Sequence, residues 1–172
     1  RRVLFRSSGR NVVVAVIDSG AHPGHDHIDA GRLTPGVMVM SDGAVVDGDD
    51  VWLDRLGHGT AVMAALQEKA PDATCIPIRV FRDALKTSAA ALISAIRWSI
   101  ARQADVINLS LGSTNAAHRE AFAAAIEDAN AAGVVVVAAR EANGEPCYPG
   151  SLPGVVGVEV DWDLPRTGFA RS

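Results

Sequence analysis

Aromatic side chains make up only 5% of the 172 residues, too few to suggest a stacking surface for nucleic-acid bases. The formal charge is −4 at pH 7, and no Lys/Arg cluster forms a stripe, so the electrostatic footprint of a nucleic-acid binder is missing as well. Long apolar runs are also lacking. Residues 134–139 form one of the longest, whereas a membrane span needs about 20. Two cysteines, Cys75 and Cys147, cannot make a disulfide framework; one bridge and two free thiols both stay open. No glycine-rich phosphate loop or Walker-type lysine follows a strand pattern, which removes the common nucleotide-binding signatures. An initiating methionine is missing too. Residues 1–7 (RRVLFRS) read like a translated sequencing adapter, and the chain stops abruptly at Arg171-Ser172. Residues 1–10 are therefore read as an artefact or a disordered N-terminal segment. Residues 11–172 are expected to be part of a longer domain. The compartment is left unassigned.

What the chain does contain is apolar. Hydrophobic residues reach 48%, mostly Ala and Val, enough to bury a core. Residues 11–17 (NVVVAVI) are a continuous β-branched run, the pattern of a strand buried on both faces. Further strands are expected at 35–40, 74–81, 105–109, 133–138 and 154–160. Pro77, inside the run 74–81, argues for an edge or irregular strand. Helices are expected at 60–69, 88–103 and 115–132. The first stops before Pro71. The second opens at Thr87/Ser88 as cap candidates and carries Leu92, Ile96 and Ile100 on one face. The third ends at Gly133. Strands alternating with helices predict an α/β domain: a mostly parallel central sheet between helical layers, a three-layer α/β/α arrangement.

Chemistry in such sheets gathers where strands end at their carboxyl edge. Asp18 closes the first strand. Alone it fits a catalytic carboxylate, a turn cap or a Mg²⁺-holding aspartate of a nucleotide fold. His58 stands in Gly57-His58-Gly59-Thr60 at the start of a helix. Its small neighbours leave the ring accessible. A helix N-terminus disfavours a permanent imidazolium, so the ring starts neutral, as a general base must. His22, His25, Asp26 and His27 could ligate zinc by spacing, but no second ligand group follows, and a solvated loop explains them. Asp42, Asp47, Asp49 and Asp50 make an acidic loop without a recognisable calcium pattern. No metal is assigned, and no cofactor is required. Trp52, Trp98 and Trp162 are scattered and read as packing residues.

Taken together and in order, several segments resemble the subtilisin-like serine protease family. They are residues 14–20 (VAVIDSG) with His22-Pro23, Asp54 with residues 57–60 (D-x-x-G-H-G-T), residues 108–112 (NLSLG), residues 134–139, and Tyr148-Pro149-Gly150 followed by residues 152–158. The resemblance runs from about residue 11 to about residue 160. It implies acyl transfer by an Asp-His-Ser triad. Asp18 would orient His58, and His58 would act as the base. It implies a polypeptide substrate that adds as a strand to Ser110, Leu111 and Gly112, with a side-chain pocket between that strand and residues 138–143. The oxyanion amide would be Asn143, displaced within a row where the family usually shows Ala-Ala-Gly-Asn. The nucleophile does not close in this chain. Ser151 sits in a Pro/Gly loop and Ser172 is the last residue, and neither is assigned. The serine is expected beyond residue 172; the alternative is a catalytically inactive domain of the same fold that binds peptides or a partner protein. Without the serine-bearing helix, the chain is expected to lack peptidase turnover and to expose apolar surface.

Overall fold

The computed structural model describes residues 7–165, 168 and 170. Residues 1–6, within the segment set aside above, and Ser172 lie outside the described residues. The apolar runs become β1 (Val13–Asp18), β2 (Val37–Val39), β3 (Val45–Val46), β4 (Thr74–Arg79), β5 (Val106–Leu109), β6 (Val135–Ala139) and, after a short hairpin of β7 (Glu141–Ala142) and β8 (Glu145–Pro146), β9 (Val156–Val158). Seven of them form one sheet in the order β3-β2-β4-β1-β5-β6-β9. Every pairing is parallel except β2 with β3. β1 therefore lies in the interior of the sheet, flanked by β4 and β5, as its unbroken β-branched run requires.

The period of two along β1 sorts its side chains between two cores. Ala15 and Ile17 join the side chains of α2 (Ala89–Ala101) and α3 (Arg119–Ala131); Val14 and Val16 join Met63 of α1 (His58–Lys69). Helices thus cover both faces, and the three-layer α/β/α architecture is present. Ser88 caps α2, its Oγ accepting from Ala91 N at 3.0 Å. A one-turn 3₁₀ helix at Ala116–His118 leads into α3, so the expected third helix starts later than its pattern suggested.

One further feature departs from the expectation, and another meets it. Pro77 lies in an interior strand, not at an edge: β4 sits between β2 and β1, with Pro77 opposite Val16. The missing N–H is tolerated because β2 pairs only with Ile78 and Arg79, and because Gly36 lets the Pro77 carbonyl come close. A Cβ on Gly36 would stand 1.7 Å from that oxygen. Second, α1 covers only part of its face. Register carries that face from Val14 to Val106, Val135 and Val156, and Val158 follows two residues on. Val135, Val156 and Val158 are 46%, 53% and 50% exposed. The exposed apolar surface expected of this chain is there, on the β6–β9 half of the sheet.

Candidate active site

β1 delivers Asp18 to the carboxyl edge of the sheet, and α1 begins with His58 directly above it. Asp18 Oδ1 accepts from His58 Nδ1 at 2.7 Å and from the Ser19 N–H at 2.7 Å. The carboxylate is fully buried, while the imidazole is 42% exposed. Asp18 Oδ2 is buried with no hydrogen-bond partner among the described residues. A carboxylate accepting at Nδ1 keeps the proton on that nitrogen. The lone pair of the neutral ring is then on Nε2, the nitrogen away from Asp18.

The approach of α1 to β1 is fixed by backbone. A Cβ on Gly59 would stand 2.2 Å from Gly20 O, and one on Gly20 would stand 2.1 Å from Trp52 O. Gly20 also holds φ at 102°, where side chains are strained. Ser19 Oγ accepts from Gly59 N at 2.8 Å and so pins the first turn of the helix. Asp54 anchors that turn from the other side. Its Oδ1 accepts from Leu56 N at 2.8 Å and Gly57 N at 2.9 Å; its Oδ2 accepts from Thr60 N at 2.9 Å and Thr60 Oγ1 at 2.6 Å. Burial raises the Asp54 carboxyl, but the Thr60 hydroxyl and the three backbone donors outweigh it and hold the group below its ordinary value. The Asp in the histidine motif is thus a cap for the helix that carries His58.

Arg79 was not singled out by sequence. It stands opposite Asp18 in the β1–β4 register and is buried. Its guanidinium donates to Phe81 O at 3.0 Å, Arg82 O at 3.1 Å and Val51 O at 3.4 Å. It ties the segment leading to Asp54 to the end of β4. The one available signal was a charge inside an otherwise apolar strand.

Ser110, Leu111 and Gly112 follow β5. Here β5 and β6 part: their pairing ends at Leu109 opposite Ala138. The two chains meet again where Ser113 and Tyr148 exchange backbone hydrogen bonds of 2.8 Å each. Gly112 is packed against that junction. A Cβ there would stand 2.4 Å from Tyr148 O and 2.6 Å from Cys147 Sγ. Asn143 and Gly144 hold φ at 54° and 79° and link β7 to β8 as a two-residue turn of type I′. Asn143 stands at the hairpin tip, and the described hydrogen bonds do not join it to Asp18 or His58.

The remaining candidates stay apart from this pair. The rings of His25 and His27 lie 5.6 Å apart, with His27 N donating to His25 Nδ1 at 3.2 Å. Asp42 and Asp47 each accept from a nearby backbone N–H within their loop. Among the described residues no three His, Cys, Asp or Glu side chains are gathered for a metal ion. Cys75 and Cys147 are both free and buried. Burial pushes the Cys75 thiol up to about 11. No helix among the described residues is long and apolar enough to cross a membrane.

A parallel sheet covered on both faces thus carries a buried aspartate that holds the ring of a helix-borne histidine. Residues 9–158 match the model of the Subtilase family, peptidase S8, and the chain belongs to that family. It is 30% identical to subtilisin DY of Bacillus licheniformis over 178 residues, covering 94% of this chain and 61% of that protein. It is 31% identical to the minor extracellular protease Epr of Bacillus subtilis (strain 168) over 165 residues, covering 89% of this chain and 24% of that protein. Among solved structures, a lanthipeptide protease superposes with a TM-score of 0.72 at 25% identity, over 88% of this chain and 49% of its own. A psychrophilic protease, S41, superposes with a TM-score of 0.68 at 26% identity, over 88% and 53%. The chain therefore spans about a quarter to three-fifths of the proteins it resembles.

Proposed function

We propose that this chain is the aspartate- and histidine-bearing part of a serine endopeptidase. The observation that carries the reading is the 2.7 Å bond from His58 Nδ1 to the buried Asp18. Asp18 holds the ring in the Nδ1–H tautomer and stabilises the imidazolium as it forms. Nε2 then takes the proton of a serine hydroxyl as that oxygen attacks the peptide carbonyl, and returns it to the leaving amine. The polypeptide would pair with the backbone of Ser110, Leu111 and Gly112 as an added strand.

The serine itself would be supplied by residues beyond 172, on a helix packed over the exposed Val135, Val156 and Val158. Those three valines are about half exposed among the described residues, and the relatives are longer than this chain. Hydrolysis of a peptide substrate by the complete gene product tests the reading. Turnover that disappears in His58→Ala and Asp18→Asn is expected. A complete product that binds peptides without cleaving them would instead make this a peptide-binding domain of the same fold.

A further inference from the structure

Arg79 is buried, yet none of the ion pairs among the described residues includes it. Burial, with Arg55 and Arg82 nearby, lowers its pKa against the pull of Asp83 and Asp54. A buried cation without a close counter-ion costs stability. The rest of β4 shows what the core asks for here: Cys75, Ile76 and Ile78 are apolar and buried. What a guanidinium adds is a rigid fork of donors. Three of its nitrogens donate to three main-chain carbonyls. Two of these, Phe81 O and Arg82 O, lie just past β4, and the third, Val51 O, belongs to a segment 28 residues earlier.

Val51 opens the segment that reaches Asp54. Ala21 N donates to Trp52 O at 3.2 Å, and Asp54 N donates to Ala21 O at 3.0 Å, so this segment lies along residues 20–21. Asp54 then holds residues 56–60 and with them the start of α1. On the other side of the fork, Val80 N donates to Asp18 O at 2.8 Å. The links close into a ring that runs through Asp18, Val80, Arg79, Val51, Asp54, α1 and His58, and returns to Asp18 through the 2.7 Å bond. Among the described hydrogen bonds, Arg79 makes the one side-chain link between β4 and residues 51–54. We infer that Arg79 is a positioning residue: by tying Val51 to the end of β4 it sets where α1 starts, and so aligns His58 Nδ1 with Asp18. Its effect on turnover rests on the endopeptidase reading above; its effect on the His58–Asp18 bond does not.

The test uses the complete gene product with two variants. Arg79→Met keeps an apolar stem and removes the donors; Arg79→Lys keeps the charge on a single atom. A misplacement of about 1 Å far from the chemistry can cost on the order of 10²-fold. Ala21 still holds residues 52–54 in both variants, so kcat per folded molecule should fall about thirtyfold in Arg79→Met and about fivefold in Arg79→Lys, with KM within about twofold of the parent. The proton resonance of His58 Nδ1 reads the bond to Asp18 directly. It should move upfield in both variants, further in Arg79→Met. Amide exchange at Leu56, Gly57, Gly59 and Thr60 should quicken by about tenfold, while Ile107 and Val136 in the sheet interior keep the parent rate. If Arg79→Met does not fold, Arg79→Lys carries the same readouts. An unmoved Nδ1 resonance would overturn the inference. So would exchange that quickens equally at all six amides, because Arg79 would then stabilise the sheet as a whole. A parent without turnover would end the endopeptidase reading, and the resonance and the amides would still decide the role of Arg79.

Discussion

The two sides of this site are built by different means. On the Asp18–His58 side, position is set by backbone. Gly20 and Gly59 let chains touch, Asp54 takes four hydrogen bonds from residues 56–60 at the start of α1, and Ser19 takes a fifth from Gly59. On the side of residues 110–148, β5 and β6 part after Leu109 and Ala138, and the segments beyond them pair again at Ser113 and Tyr148. The space they border is lined by side chains, several of them exposed. The Asp18–His58 pair is thus placed where the main chain leaves little freedom, and the space beside residues 110–113 is lined by side chains that can change without moving His58.

The largest effect expected from this contrast is chemical. In the complete protein, His58→Ala should lower kcat by about 10⁶ and Asp18→Asn by about 10⁴, the size of loss known for the same roles in subtilisin. Burst-free steady-state assays on a peptide amide would read both. Because His58 is half-exposed, its loss should leave the melting temperature within a few degrees of the parent.

Glycine substitutions sharpen the comparison through stability. Gly59→Ala drives a methyl into Gly20 O and should cost about 1–3 kcal/mol or more. Gly144→Ala meets nothing within 4 Å and strains only its left-handed φ of 79°, so about 1 kcal/mol is expected. Urea unfolding of the two variants separates them. Equal losses would break the claim that the first side is the more tightly determined.

Asp54 gives that rigidity a pH dependence. Its folded pKa is held below the ordinary 3.8, so the unfolded chain binds the proton more readily. The stabilisation is therefore complete above that ordinary value and is lost as pH falls through the folded pKa. Unfolding midpoints measured from pH 7 down to pH 2 should show this acid slope, and Asp54→Asn should flatten it. A slope unchanged by the substitution would remove Asp54 from the account.

The smallest effect belongs to the other side. Asn143→Gly preserves the type I′ turn and removes the amide. Less than about threefold change in kcat is expected from a residue at an exposed hairpin tip. A loss on the order of 10²-fold would return this amide to the developing oxyanion, the role the family resemblance implies.

The legibility of the sequence follows the same division. β1 and Asp18 were readable because a buried strand writes itself as an unbroken apolar run that ends at the first charge. His58 was readable because Gly57, Gly59 and Thr60 are neighbours in sequence. Arg79 and the four bonds of Asp54 were not readable, since each is defined by partners brought in by folding or by the turn itself. Pro77 misled because its tolerance depends on Gly36 of another segment. The hairpin around Asn143-Gly144 was not readable, since strands of two residues carry no alternation from which β7 and β8 could be seen. The free state of Cys75 and Cys147 was open for the same reason: spacing says nothing about where folding places the two thiols.

The most direct measurement is labelling of the complete gene product with a fluorophosphonate probe, followed by peptide mapping of the modified residue. The account predicts one labelled serine beyond residue 172, with labelling lost in His58→Ala. No labelled serine, or labelling that survives the loss of His58, would contradict it.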